Sequence, residues 1–153
     1  MANPSDRSMA ARQIRNSALG MTVKAEIGQL LMLRTVAEAA AMVAGFVMEE
    51  VTDLRVALDE IATCLMVHAV PCTEIRCEFT ADTAGMRVRV EGLSTVPNPI
   101  DDAGIGWQVL VASTDGLEID CAEFDPEAGG YPVTAAFARA RLLVKPPRAA
   151  PNS

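Results

Sequence analysis

A change of hydrophobic period at Pro71 constrains the fold of this 153-residue chain more than any other feature. Before the proline, apolar residues recur every three or four positions, which is the spacing of one helical face: Val51, Leu54, Leu58, Ile61 and Leu65. After it, the stretches EIRCEFT and MRVRVEG alternate on either side of ADTAG, which predicts two strands joined by a hairpin. A long amphipathic helix followed by a hairpin indicates helices packed against a sheet.

The remaining segments extend this pattern in both directions. MTVKAEI predicts a first strand, and a helix is predicted from Leu30 to about Ala44, ended by Gly45. The second helix should begin near Glu49, whose charge suits a helix N-terminus. Residues 94–106 have the composition of a loop, WQVLVAS predicts a short helix, and LEIDCAEF and YPVTAAFARARLLV predict two closing strands. The expected fold is an α+β two-layer sandwich, with helices on one face of a mixed or antiparallel sheet.

Length and composition predict one domain, over residues 21–144, with tails at 1–20 and 145–153. Half of the residues are apolar but only 4% are aromatic, so small aliphatic side chains must fill the core.

Arg34 and Glu38 interrupt the most apolar stretch, and no apolar segment follows the basic N-terminus, so neither a membrane span nor a signal peptide is expected. The net charge of −7 argues against nucleic-acid binding, although it leaves a basic protein partner open. A cytoplasmic protein is the expectation.

The cysteines and the single histidine limit the chemistry of the chain. Cys64, Cys72, Cys77 and Cys121 form no CxxC or zinc-type spacing, so free thiols and no metal site are expected. His68 is the only histidine, which excludes any scheme that needs two imidazoles.

Two stretches contain candidate site residues. Glu60 and Cys64 lie one turn apart on a flank of the long helix, together with Asp53, away from its apolar stripe. A carboxylate there can orient or deprotonate a nucleophile, but a thiol is a poor ligand for Mg²⁺, and a solvated acidic flank also explains the pattern. Gly104 and Gly106 precede a helix and can leave backbone N–H groups free for a phosphate, although taken alone this weak motif favours a flexible helix start.

The order and spacing of these motifs, from about Met21 to Arg141, resemble the anti-sigma-factor serine kinases of the RsbW and SpoIIAB type, in the GHKL ATPase superfamily. EEVTDLRVALDEIATCLMVHAV resembles their N-box helix, RVEGLST their first glycine box, and AGIGWQVLVASTDGLEID the second glycine box with its helix and strand. The resemblance implies a protein that holds a sigma factor inactive and is countered by an anti-anti-sigma protein of the STAS fold. Family members phosphorylate that competitor with Mg-ATP and are typically homodimers.

The chain departs from the family where ATP is handled. Glu60 matches the N-box glutamate and Gly92 the first glycine of its box, but three other positions differ: Cys64 replaces the magnesium-binding asparagine, Val90 the adenine-binding aspartate and Ser94 the second glycine. Moving the register by one residue would place Glu91 at the aspartate position but would misplace Gly92. The segment between the two glycine boxes also looks short for the lid that closes over ATP.

The resemblance implies an anti-sigma factor that sequesters a stress- or sporulation-type sigma factor. The departures predict that this anti-sigma factor has little or no kinase activity and no cofactor. Arg34 falls where the family has an arginine on the first helix that contacts both partners. Release is then expected from a competing STAS protein or from a redox signal at Cys64, Cys72 or Cys77. Two alternatives stay open: an active serine kinase that uses Mg-ATP and Glu60, and an unrelated small α+β binding or scaffold domain.

Overall fold

The protein folds as helices packed on one sheet, and the computed structural model describes residues 17–142. The elements are β1 (Ser17–Lys24), a 3-10 turn (Ile27–Gln29), α1 (Leu30–Val43), α2 (Met48–Val67), β2 (Glu74–Ala81), β3 (Gly85–Ser94), α3 (Ile105–Ser113), β4 (Asp115–Cys121) and β5 (Tyr131–Ala140). This is the order that the hydrophobic periods predict, and it confirms the α+β class.

The five strands lie in the order β1-β2-β3-β5-β4, and all four neighbouring pairs are antiparallel. The sheet is therefore not mixed, which leaves the antiparallel form of the prediction. β3 and β4 do run in the same direction, but β5 inserts between them and pairs with both. The two-helix connection through α1 and α2 likewise returns the chain to the same end of the sheet before β2, so β1 and β2 run in opposite directions.

The structure moves the predicted boundary between the N-terminal tail and the domain. β1 begins at Ser17, which pairs with Ala81 of β2, so residues 17–20 belong to the sheet and not to the predicted tail. Residues 1–16 and 143–153, which hold the rest of both predicted tails, lie outside the described residues. No helix in the described range 17–142 is long and apolar enough to cross a membrane.

The core lies between the sheet and the two long helices. Buried residues of α2 face the strands with the predicted helical spacing, and Ile75, Cys77 and Phe79 of β2 alternate toward them. α1 contributes the alanines Ala37 and Ala41, whose small side chains allow the backbones of α1 and α2 to approach closely. α3 packs against α2. This contact brings the predicted glycine motif at Gly104 and Gly106 close to the α2 helix that carries Glu60.

Candidate functional site

Glu60 of α2 lies directly against the first turn of α3. A β-carbon built at Gly106 would overlap Oε1 of the Glu60 carboxylate, so the glycine leaves the space that this carboxylate occupies. The first N–H groups of a helix have no partner within the helix and carry a partial positive charge. The structure therefore brings the predicted N-box glutamate and the second glycine box side by side, with the negative charge at the positive end of α3.

Cys64 lies one turn further along α2, and its Sγ is 4.0 Å from Oε1 of Glu60. Burial raises the pKa of this thiol above its usual value, and the negative charges of Glu60 and Asp101 raise it further. The thiol is therefore protonated at neutral pH, and a protonated thiol is neither a metal ligand nor a nucleophile. Asp53, predicted on the same flank, instead accepts a hydrogen bond from Nε of Arg139 in β5 at 3.2 Å.

The positions that correspond to the first glycine box face the helices and are filled by the chain itself. Val90 is fully buried in the core, and a β-carbon built at Gly92 would lie 3.7 Å from Cδ1 of Leu65 in α2. Ser94 is only 1% exposed, and its hydroxyl donates to the carbonyl of Val96 at 2.7 Å and accepts from the N–H of Val96 at 3.1 Å. No carboxylate from these positions faces α2.

Glu91, the alternative adenine-binding residue in the shifted register, lies on the other face of the sheet. Its neighbour Val90 faces the core, and strand side chains alternate between faces. Glu91 forms an ion pair with Arg89 at 2.7 Å on that outer, solvent-facing side. The shifted register therefore does not supply a carboxylate to the helix side of the sheet.

The short loop between β3 and α3 is bound to the end of α2. The N–H of Thr95 donates to the carbonyl of His68 at 2.7 Å, and the N–H of Val70 donates to the carbonyl of Leu93 at 3.0 Å. Further along this loop, Ile100 is buried in the hydrophobic core. The residues present thus do not fit Mg-ATP as the resembled family holds it, because they provide neither an adenine-binding carboxylate on this side nor a hard oxygen ligand at position 64.

Arg34 lies on α1, away from this region. Its Nη2 and Nε lie 2.7 Å and 2.8 Å from Oδ1 of Asp59 in α2, and its side chain is still 42% exposed. The outward side of α1 around it carries a set of exposed residues without charge, here called the α1 stripe: Leu31, Met32, Thr35, Ala39, Met42 and Val43. A partly exposed arginine beside an exposed and mostly apolar stripe is suited to contact with another protein.

The sequence did not point to three residues of these sites. Asp59 is 25 positions from Arg34 in sequence, Asp101 is 37 positions from Cys64, and Ile100 lies in a stretch with the composition of a loop. Contacts at such separations leave no pattern in one sequence. Only the Glu60–Cys64 pair is local, because residues four apart meet on a helix.

All four cysteines lie in the described range and are free thiols. Burial raises the pKa of Cys77 to about 12, and burial followed by the charge of Asp120 raises that of Cys121. The redox hypothesis concerns Cys64, Cys72 and Cys77. Of these three, Cys72 is exposed, Cys64 is partly buried and Cys77 is buried. The described residues contain no group of three or more histidine, cysteine or acidic side chains placed to hold a metal ion.

The comparisons with known proteins point to one group of regulators, although no family model matches the chain. Over 126 residues, which are 82% of this chain and 75% of the relative, it is 25% identical to the anti-sigma-F factor RsbW of Mycobacterium tuberculosis, in two strains. This chain resembles the RsbW-type anti-sigma factors.

Two solved structures have the same fold. The first contains the RsbU and RsbW domains of Rv1364c from Mycobacterium tuberculosis, with a TM-score of 0.57, 17% identity and 84% of this chain covered. This chain spans only 35% of the length of that protein chain. The second is the SiaB–SiaC complex from Pseudomonas aeruginosa, with a TM-score of 0.63, 10% identity, and 91% of this chain and 99% of the matched chain covered.

Proposed function

We propose that this chain is an anti-sigma factor that sequesters an alternative sigma factor of the stress or sporulation class in the bacterial cytoplasm. Its similarity to RsbW over 82% of its length carries the proposal. In the same proposal, an anti-anti-sigma protein of the STAS fold displaces the sigma factor, and the chain acts as a homodimer on a GHKL-type scaffold.

The α1 stripe and Arg34 form the proposed partner surface. Arg34 already pairs with Asp59, but an exposed pair of this kind contributes only about 0–1 kcal/mol. A carboxylate of an incoming partner can therefore take over the guanidinium at small cost. Burying the apolar side chains of the stripe would then supply most of the affinity.

We further propose that this binding does not use a nucleotide. The protonated thiol of Cys64 and the buried Val90 support that view, because each replaces a group that handles ATP in the resembled family. The active serine kinase remains the second candidate. The position of Glu60 at the N-terminus of α3 favours it, since a catalytic carboxylate would be placed beside bound phosphate there.

Substitution of Arg34 tests the partner surface. The Arg34→Ala variant should bind the sigma factors and STAS proteins of the host about 10- to 100-fold more weakly, as loss of an interfacial arginine does. The measurement is the dissociation constant by biolayer interferometry. Arg55→Ala is the matched control, because Arg55 also joins α2 to α1, through Glu38 at 3.1 Å, with a similar exposure.

Unchanged affinity of Arg34→Ala, or equal losses in both variants, would contradict the proposed surface. If the unmodified chain binds no sigma factor and no STAS protein of its host, the anti-sigma function itself is wrong. The unrelated binding or scaffold domain then becomes the better description.

A further inference from the structure

A groove lies along the β4 edge of the sheet, and none of its lining residues belongs to α1. Two adjoining cavities of about 680 Å³ and 510 Å³ share Asn98 and Cys121. The first lies between the β3–α3 loop, Trp107 and Ile119, and the second reaches Phe124 and Tyr131, whose rings pack edge to face at 5.3 Å. We call these two cavities together the β4 groove.

The groove lies beside main-chain groups that have no strand partner among residues 17–142. β4 is the outermost strand on its side of the sheet, so no described strand pairs with one of its edges. The N–H of Ala122 donates to the carbonyl of Pro132 in β5 at 2.9 Å, and backbone groups alternate in direction along a strand. The backbone N–H and C=O groups of Ile119 and Cys121 therefore face away from β5, and both residues also line the first cavity. An extended chain that lies here can add to the sheet as a sixth strand.

The charged residues that line the groove are all acidic. Asp101, Asp102 and Asp120 line the first cavity, and Glu123 lines the second. None of the four forms an ion pair with another residue in the range 17–142, whereas Glu118, which is also on β4, pairs with Arg87 at 3.2 Å. The groove thus combines unpaired negative charge with an open strand edge and aromatic walls.

We propose that the β4 groove binds an extended, basic segment of a partner protein by strand addition. The backbone of that segment would pair with Ile119 and Cys121, and alternate lysine or arginine side chains would reach the carboxylates of the groove. Its other side chains would be apolar and would contact Trp107 and Tyr131. This binding site is separate from the α1 stripe, so it does not depend on the anti-sigma function.

Trp107 provides a direct test, because it is the only tryptophan in the chain and lines the groove. The full chain is titrated with an acetylated and amidated Val-Lys-Val-Lys-Val-Lys-Val peptide at low salt, and the tryptophan emission is followed. We expect saturable binding with a dissociation constant on the order of 10–100 µM. Hydrogen exchange of the Ile119 and Cys121 amides should become slower in the complex.

Two peptide controls and two protein variants separate strand addition from general charge attraction. The matching peptide with glutamate in place of lysine, and a lysine peptide N-methylated on alternate residues, should each bind at least about tenfold more weakly. The double variant Asp102→Asn with Asp120→Asn should lose a similar factor. Glu118→Gln is the matched control on the same strand and should change the affinity less than about twofold.

Several results would overturn the proposal. They are an unchanged emission up to about 1 mM peptide, equal binding of the acidic peptide, and equal binding of the N-methylated peptide. Residues 1–16 of this chain are themselves basic. If their deletion alone changes the emission of Trp107, the occupant is the chain's own segment and not a partner.

Discussion

Glu50 is a buried carboxylate that joins two distant parts of the chain. Only 2% of it is exposed; Oε1 accepts from the N–H of Val47 at 2.9 Å, and Oε2 accepts from the N–H of Leu142 at 2.6 Å. Glu50→Ala leaves both donors without this partner, so the free energy of unfolding should fall by about 2–3 kcal/mol in a urea titration. Glu49→Ala changes the exposed neighbour in the same helical turn and should cost less than about 0.5 kcal/mol. Equal losses in the two variants would show that the hydrogen bonds of the Glu50 carboxylate to Val47 and Leu142 do not stabilise the fold.

At the residue scale, local pairs can be read from a sequence and distant pairs cannot. A glutamate at the third position of α2 is a known capping residue, so its contact with Val47 could be read from the chain. Its second partner, Leu142, is 92 residues away and depends on where β5 ends. Arg34 could likewise be chosen through the family resemblance, but its ion pair with Asp59 could not.

Gly85 and Gly106 each lie close to another element, but Gly85 lies against a rigid backbone and Gly106 against a flexible side chain. A β-carbon at Gly85 of β3 would overlap the backbone oxygen of Arg139 in β5, which cannot move without breaking the sheet, so Gly85→Ala should cost about 1–3 kcal/mol. At Gly106 the same carbon meets only the end of the Glu60 side chain, which can rotate away. The gain of an alanine in the helix offsets this, so Gly106→Ala should stay within about 1 kcal/mol. Urea unfolding would measure both changes, with Gly28→Ala as the control in open space. A loss at Gly106 as large as that at Gly85 would mean that Glu60 is held rigidly.

At the element scale, periodicity was sufficient for the order of strands and helices but not for their pairing. The start of β1 at Ser17 was missed because its outward positions hold Ala18 and Gly20, which are poor strand formers. The insertion of β5 between β3 and β4 follows from chain crossings that no local pattern records. Sheet order is what makes β4 an open edge, so the β4 groove was beyond prediction from the sequence.

At the scale of the whole molecule, the family resemblance predicted the fold where single motifs were weak. The motifs alone could not predict whether the region that resembles a nucleotide site can hold ATP, because that depends on which side chains fill the space between β3, α2 and α3. Leu65 contacts the region of Gly92, and Ile100 is part of the core. These packing contacts couple the positions that resemble the first glycine box to the stability of the entire domain.

The nucleotide proposal has a consequence for the whole molecule that thermal unfolding measures. A ligand present at 100 times its dissociation constant stabilises a folded protein by about 2.7 kcal/mol, which in a domain of this size raises Tm by roughly 5–10 °C. With about 5 mM Mg-ATP, any dissociation constant below about 50 µM would give a shift of that size. We expect a shift below about 1 °C, because the thiol of Cys64 is a poor magnesium ligand and Val90 offers adenine no acceptor. A clear shift that Glu60→Gln abolishes would instead support the kinase, since that substitution alters the carboxylate at the start of α3 while keeping its shape.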